Sequence, residues 1–259
     1  MSHLDSPLNQ FIRSSWPLLA LALAGCDLTG QYEKKIQETL QTSGQRAVFD
    51  QNLHSSFTEV IDAKQQNVGV KLRIPKLFDD NSKSLAANDP RAVTPFALPG
   101  LAYAIERQFD DDKDPPQFLP AYIYLAAQPK GDQKPDAFQA AVAQLVGATV
   151  RGATWSDATL TTPTGQSITL KRLRADGQQP FVNIQKNAPT AVDGRLDIYY
   201  IDGGSHHVLI GWRIPKPQSQ KYPQLETAID AAMGTVEITG SPPADSGGQP
   251  APAKAAPTG

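Results

Sequence analysis

The only cysteine of this 259-residue chain, Cys26, follows a short apolar run that extends from Trp16 to Leu23. The run is far shorter than the roughly 18–20 apolar residues that a helix needs to span a bilayer. It falls within the ~7–15 residues of the apolar region of a secretory signal. The small residues Ala24 and Gly25 lie directly before the cysteine. These features predict an export signal at residues 1–25, and a single cysteine leaves no disulfide within the chain.

The order Leu23-Ala24-Gly25-Cys26 resembles the lipobox of bacterial lipoproteins. The resemblance implies that residues 1–25 are removed and that Cys26 becomes a lipid-bearing N-terminus, with a diacylglycerol on its sulfur and usually an acyl group on its amine. Two or three such chains make a lasting anchor, because each buried CH₂ contributes ~0.8 kcal/mol. The expected location is the bacterial cell membrane, with the domain facing the periplasm or the exterior.

Two questions about location stay open. Asp27 resembles an inner-membrane retention signal of enterobacteria, but the sequence does not distinguish the inner from the outer membrane. The alternative is a cytosolic protein whose N-terminus forms an apolar helix with an incidental cysteine. A net charge of −2 gives no basic excess to neutralise phosphates, which argues against nucleic-acid binding.

Residues 26–56 are predicted to contain the lipidated N-terminus, a spacer at residues 27–31 and one amphipathic helix. Tyr32, Ile36 and Leu40 recur at every fourth position among charged and polar residues, which predicts a narrow apolar helical stripe. We expect this helix to end near Gly44, since glycine adopts the left-handed conformation that ends many helices. We also expect its stripe to dock on the domain rather than to serve as a stalk.

Residues 57–239 are predicted to form one domain with a central antiparallel sheet. Period-two alternation predicts a strand from Val68 to Ile74 that Pro75 stops. An Asp-Gly turn between β-rich runs predicts a hairpin at 202–204. The predicted strands are 57–61, 68–74, 101–107, 118–127, 154–161, 167–174, 181–184, 195–201, 206–214 and 236–238. Further predicted turns are 163–165 and 176–177, and residues 76–99 are predicted to be an irregular connection.

Two helices are predicted inside this domain. Asp136 is a plausible cap for a helix whose apolar face contains Phe138 and Val142 and which ends at Gly147. A closing helix is predicted from Tyr222 to Met233. Residues 240–259 carry almost no large apolar side chain, so they are predicted to be disordered.

The early strand that ends in Pro75, and the closing unit of hairpin, proline break, helix and Met-Gly-Thr exit, resemble the Mog1/PsbP-like fold. The resemblance covers roughly residues 57–238. It implies an α+β fold in which helices cover both faces of a central antiparallel sheet, an α/β/α sandwich. Members of that fold mostly serve as protein-binding or assembly modules, so the resemblance implies a non-catalytic role and transfers no site residue.

Three clusters of polar side chains are candidates for chemistry. His206 and His207 are adjacent on a predicted strand, so their side chains point to opposite faces and cannot chelate one metal together without a bulge. The loop from Asp110 to Asp114 lacks the spacing of a calcium-binding loop. Ser205 adjoins His206, but neighbouring strand residues point apart and the sequence specifies no orienting acid.

These observations predict a lipid-anchored, non-catalytic module that binds or assembles another envelope protein. They identify Cys26 as a lipidation site, and they identify no catalytic residue, metal ligand or cofactor. The alternative is a lipid-anchored small-ligand binder or hydrolase with a site near the 76–99 loop. A flat apolar patch would favour the first function, and a deep pocket with convergent polar groups would favour the second.

Overall fold

The computed structural model describes residues 16–93, 95–109, 119–183 and 188–239. The predicted acidic loop at 110–114 and the predicted disordered tail at 240–259 lie outside these residues. The chain divides into two compact units with a boundary between Val48 and Phe49. None of the described helices is both long enough and apolar enough to cross a bilayer.

The first helix, α1, is much longer than the sequence predicted. It runs without a break from Trp16 to Asn52, so the predicted spacer at 27–31 and the predicted end near Gly44 are both wrong. A glycine inside a helix costs only about 1 kcal/mol relative to alanine, which the helix formers around Gly44 offset. Tyr32 and Leu40 of the predicted stripe are 67% and 66% exposed, and the docking of this stripe stays a prediction.

A small antiparallel sheet begins the second unit. Its first two strands pair as a hairpin, and a short strand from the end of the domain adds to the second of them. The first strand begins four residues earlier than predicted. The strands are β1 (Leu53–Ile61), β2 (Asn67–Pro75) and β10 (Glu237–Ile238), in the order β1-β2-β10.

A seven-stranded antiparallel sheet forms the centre of the domain. The predicted pairings at 101–127, 154–174 and 195–214 are confirmed. The strands are β3 (Lys83–Ala86), β4 (Leu101–Phe109), β5 (Leu119–Pro129), β6 (Thr154–Thr161), β7 (Ser167–Asn183), β8 (Ala188–Asp202) and β9 (His206–Pro215), in the order β3-β4-β5-β9-β8-β7-β6.

The β7–β8 pair differs most from the prediction. The predicted turn at Asp176-Gly177 is wrong, because β7 continues through it and Gly177 lies opposite Gly194 in the ladder. Gly177 has a φ of 130°, a conformation that glycine adopts at no steric cost. Residues 181–183 of the predicted short strand are therefore the end of one long strand, while residue 184 lies outside the described residues, and β7 and β8 form an extended ribbon.

The hairpin between β8 and β9 is confirmed, with its turn centred on residues 204 and 205 rather than on the predicted 202–204. Gly203 and His206 flank a two-residue tip, and the Gly203 N–H donates to the His206 carbonyl at 3.1 Å. Among the tip residues only Gly204 has a positive φ, 72°. A glycine with positive φ at the first central position is typical of a type II′ turn, whereas type I′ requires positive φ at both positions.

Helices cover both faces of the large sheet, so the predicted α+β architecture is confirmed. Alternate strand residues contribute to two cores: Tyr199 and Ile201 pack with α5, β1 and β2, whereas Ile198 and Tyr200 pack on the side of α3. The remaining helices are α2 (Pro90–Val93), α3 (Pro135–Gly147), α4 (Lys216–Lys221) and α5 (Gln224–Gly234).

Three local predictions need correction. The 76–99 connection is not wholly irregular, since it contains β3 and α2. Lys134 rather than Asp136 occupies the N-cap of α3, and Asp136 lies in the first turn. Pro135 fits the first helical position because it has no N–H to leave unpaired there. The predicted closing helix from Tyr222 to Met233 corresponds to α5, which begins two residues later at Gln224, and the short helix α4 before it was not predicted.

Candidate functional site

A buried carboxylate organises one face of the β7–β8 ribbon. Asp197 is 1% exposed, and three arginines approach it. Arg174 Nε and Nη2 donate to its two oxygens at 2.6 and 3.0 Å. Arg195 Nε lies 2.9 Å from Oδ2, and Arg172 Nε lies 3.9 Å from Oδ1. The two-point pair fixes the Arg174 guanidinium in direction as well as in distance. Arg195 is held by a single close contact, and Arg172 lies beyond hydrogen-bond distance.

Strand register explains why these charges meet. Residues two apart on a strand share a face, so charged residues at every second position of β7 and β8 all lie on one side. Across the ladder Arg174 faces Asp197, and Asp176 faces Arg195. Opposite charges directly across an antiparallel pair stabilise the pairing. The result is a ladder of charge pairs along the ribbon.

The helix α5 adds acidic groups to this cluster. Arg195 Nη1 lies 2.8 Å from Glu226 Oε1, and the Tyr199 hydroxyl donates to Asp230 Oδ1 at 3.5 Å. Desolvation raises the pKa of the Asp230 carboxyl, although Arg195 and Arg172 oppose the rise. Burial raises the pKa of the Tyr199 hydroxyl to about 12. Tyr199 therefore stays a neutral donor at physiological pH.

Beside this cluster lies a cleft of about 550 Å³ between the ribbon and the helices α4 and α5. We call it the charged cleft. Its volume falls within the ~300–1,000 Å³ typical of ligand sites. Three basic and three acidic side chains line it, together with Ser219 and the two glycines of the ladder; the charged residues are Arg174, Arg195, Lys216, Asp176, Asp193 and Glu226. Such a surface can bind a ligand that carries both signs of charge.

Sequence reasoning missed this site because it ended the strand at Arg174 and placed a turn at Asp176-Gly177. A signal was nevertheless present, since Arg172, Arg174 and Asp176 alternate with Leu173 and Ala175. The same alternation places Arg195 and Asp197 on one face of β8. When two predicted strands carry alternating charges of opposite sign, the pattern predicts that the two strands pair and place these charges together on one face.

A second polar group lies at the tip of the β8–β9 hairpin. Ser205 Oγ is 2.9 Å from His206 Nδ1, and His206 Nε2 is 3.9 Å from Asp62 Oδ2. The expectation that Ser205 and His206 point apart is wrong, because Ser205 belongs to the turn rather than to the strand. Asp62 Oδ1 accepts the backbone N–H groups of Lys64 and Gln66, both at 2.8 Å. Ser205 and His206 line an open depression of about 400 Å³.

His206 and His207 lie on opposite faces of the sheet, as predicted. His207 is fully buried and stacks on Phe138, with 4.3 Å between the ring centroids. Its Nε2 lies 3.0 Å from the Gln133 carbonyl, so Nε2 carries the proton. Its Nδ1 then accepts from the Tyr200 hydroxyl, also at 3.0 Å. In the described part of the chain, no group of three or more His, Cys, Asp or Glu residues is placed to hold a metal ion.

The 76–99 loop contributes a structural ion pair, and its first residues, Lys76 and Leu77, line a depression of about 300 Å³ beside α5. Arg91 lies 2.8 Å from Asp89 and 3.1 Å from Glu106. The Glu106 side chain is completely buried, and the hydrogen bond from Arg91 lowers the pKa of the Asp89 carboxyl. Burial and the Glu106 charge raise the pKa of the Tyr122 hydroxyl. These contacts tie α2 to β4 and β5.

Cys26 lies within α1, and its side chain is outside the part of the structure that is described. Its lipidation stays a prediction. The same holds for the predicted export signal, of which residues 1–15 are not described.

Comparisons with known proteins find similarity only at the level of overall structure. No protein-family model and no curated protein sequence matches the chain. PsbP (CyanoP) from the cyanobacterium Synechocystis sp. PCC 6803 is similar with a TM-score of 0.37 and 8% identity, over 71% of this chain and 94% of that one. The Ran-binding protein Mog1p from Saccharomyces cerevisiae is similar with a TM-score of 0.35 and 13% identity, over 71% and 95%.

These two proteins bear the names of the fold that the sequence resembles. At TM-scores below 0.5, the likeness transfers neither a function nor a site residue to this chain. The α+β class rests on the strand order and on the helices that pack against the two faces of the large sheet.

Proposed function

We propose that this chain is a lipid-anchored, non-catalytic module of the bacterial cell envelope that binds or helps to assemble another envelope protein. The charged cleft carries the proposal. Its guanidinium groups are held by a buried carboxylate, and so they are oriented before any partner arrives. Groups fixed in advance lose little side-chain freedom on binding.

The anchor in this proposal is lipid on Cys26, supported by the order Leu23-Ala24-Gly25-Cys26. From Cys26 the helix α1 continues to Asn52, a length of about 40 Å at ~1.5 Å per residue. Tethering confines the binding domain to the membrane surface and raises its local concentration near membrane proteins. The domain would face the periplasm or the exterior.

The anchor is tested by the intact mass of the full chain made in a bacterial host, beside a Cys26→Ala variant. We expect the first protein to begin at Cys26 and to be heavier by acyl groups, and we expect the variant to leave the membrane fraction. A full-length, unmodified chain in both preparations would exclude the lipoprotein and leave the cytosolic alternative.

Binding at the cleft is tested by photocrosslinking in living cells. A photoreactive amino acid replaces Lys216 in the cleft or, as a control, Lys83 on the opposite edge of the large sheet. We expect a discrete envelope-protein adduct from position 216 that is absent from position 83. Equal adduct patterns from both positions would show that the cleft is not the binding surface.

A second candidate function, hydrolysis, is favoured by the arrangement of Ser205, His206 and Asp62. A serine hydroxyl beside an imidazole whose other nitrogen faces a carboxylate resembles the arrangement of serine hydrolases, with the two nitrogens exchanged: in those enzymes the serine pairs with Nε2 and the carboxylate with Nδ1. The 3.9 Å gap between His206 and Asp62 is too long for a hydrogen bond. The test is labelling by a fluorophosphonate: an adduct on Ser205 that disappears in His206→Gln would support hydrolysis, and an unlabelled protein would exclude it.

A further inference from the structure

The charges of the cleft restrict what it can bind. Arg174 and Arg195 are paired with Asp197, and Arg195 also with Glu226. Asp193 accepts from the Gln178 side chain at 2.6 Å. Among the described residues, neither Lys216 nor Asp176 forms an ion pair. The cleft therefore presents one basic and one acidic side chain that form no close ion pair among the described residues, although Asp176 lies opposite Arg195 in the ladder.

A ligand of one sign fits this surface poorly. A polyanion would approach Lys216 and Arg174 but would meet Asp176, Asp193 and Glu226 in the same cleft. A polycation would meet the three basic groups instead. Like charges placed together across an interface repel each other and so exclude the wrong partner. A ligand with an acidic group beside a basic group avoids both penalties.

The cleft's size and donors favour a peptide segment. About 550 Å³ accommodates a few residues but not a folded domain. Arg174 bonds Asp197 through Nε and Nη2, which leaves Nη1 of the guanidinium for an incoming carboxylate. Asp176 and Asp193 offer four carboxylate oxygens to the donors of a lysine or arginine side chain. We therefore infer that the charged cleft binds a short segment of a partner protein in which an acidic side chain neighbours a basic one.

This inference rests on the proposed binding function and specifies the partner's chemistry. In the inferred complex, the acidic side chain contacts Lys216 and Arg174, and the basic side chain contacts Asp176. The rigid Arg–Asp197 cluster sets the position of the acidic end.

The test uses the full chain in detergent and four fluorescein-labelled hexapeptides, alternating Glu-Lys, all Glu, all Lys and all Gln, followed by fluorescence anisotropy. We expect saturable binding of the alternating peptide and at least about tenfold weaker binding of the other three. Tight binding of all Glu or all Lys would overturn the inference. A further outcome is that phosphatidylethanolamine vesicles displace the alternating peptide while phosphatidylglycerol vesicles do not. That result would overturn the inference of a peptide ligand and would indicate that the cleft binds a zwitterionic lipid headgroup.

Charge reversal identifies the cleft residues. Asp176→Lys and Lys216→Glu should each weaken the alternating peptide about tenfold. The double variant restores one charge of each sign with the orientation reversed, so it should recover most of the affinity. Lys83→Glu is the control and should bind normally. Single variants that bind as tightly as the original chain would overturn the inference. Crosslinking at position 216 that persists without peptide binding would retain the proposed function while rejecting this ligand.

Discussion

Arg174 of β7 donates two hydrogen bonds to the buried carboxylate of Asp197 on β8, and Arg195, two residues before Asp197 on the same strand, lies 2.9 Å from that carboxylate. The Asp197 charge raises the pKa of the Arg174 guanidinium. A buried charge cluster of this kind adds little net stability, because desolvation offsets most of the attraction. Its physical effect is to fix the direction of the arginines at the edge of the charged cleft.

Removing the Asp197 charge should nevertheless lower the free energy of unfolding, because the arginines around it would lose their buried partner. Asp197→Asn leaves three guanidinium groups around a neutral amide, and breaking a buried ion pair typically costs about 3–5 kcal/mol. We expect a loss of that size in the free energy of unfolding, measured by urea denaturation. The control is Asp157→Asn in the neighbouring β6, where the ion pair with Lys171 is exposed and should contribute less than about 1 kcal/mol. Similar losses in both variants would contradict an organising role for Asp197.

Two glycines that end helices provide a matched test of packing. Gly234 ends α5 and Gly147 ends α3. A Cβ on Gly234 would lie 2.2 Å from the Thr161 carbonyl oxygen, whereas a Cβ on Gly147 would have no atom within 4 Å. Gly234→Ala should separate α5 from β6 and destabilise the fold by about 1–3 kcal/mol. Gly147→Ala should be neutral or stabilise by up to about 1 kcal/mol. Equal thermal shifts would contradict this close approach of helix and strand.

Much of the fold could be predicted because its signals are local. The 163–165 and 202–204 turns join runs of β-forming residues, and Phe138, Val142 and Val146 recur at helical spacing. All three side chains are buried in α3. The errors occurred at residues that commonly end a helix or a strand but do not do so here. Gly44 stays helical within α1. Asp176-Gly177 stays extended because β8 pairs with β7 on both sides of it.

The candidate site was harder to predict because it depends on register and tertiary packing. Alternation alone places Arg172, Arg174 and Asp176 on one face, but only the pairing with β8 brings Asp197 between the arginines. Glu226 reaches Arg195 from a helix that follows β9 in the chain. No spacing rule connects positions 174, 195 and 226, so the cleft emerges only from the assembled sheet.

The indole of Trp155 joins α3 to the edge strand β6. Its Nε1–H donates to the Gln139 carbonyl at 2.8 Å. Trp155→Phe removes this hydrogen bond and should lower the free energy of unfolding by about 1 kcal/mol. Tyr103→Phe also removes a donor to a backbone carbonyl, but that contact is 3.4 Å long and exposed, so its loss should be negligible. The free energy of unfolding of each variant is measured by urea denaturation. A Trp155→Phe protein as stable as the original chain would contradict the role of this hydrogen bond.

The buried imidazole of His207 should make stability depend on pH. Burial lowers its pKa from the ordinary value of 6.5, and the Lys130 charge adds to this, while the Gln133 carbonyl and Asp202 oppose it. The folded state therefore prefers neutral His207, whereas the unfolded chain binds a proton near pH 6.5. Because the unfolded state binds more protons below that pH, the free energy of unfolding should be constant above it and fall as the pH drops through 6 to 5.

The measurement is urea denaturation between pH 5 and 8 of the original chain, His207→Gln and His206→Gln. His207→Gln cannot be protonated, so its free energy of unfolding should lose the His207 part of the slope between pH 7 and 5. It should also be less stable at pH 8, because glutamine does not reproduce the stacking on Phe138. His206→Gln leaves His207 in place and should retain that slope. An unchanged slope in His207→Gln would show that other groups govern the acid sensitivity of the fold.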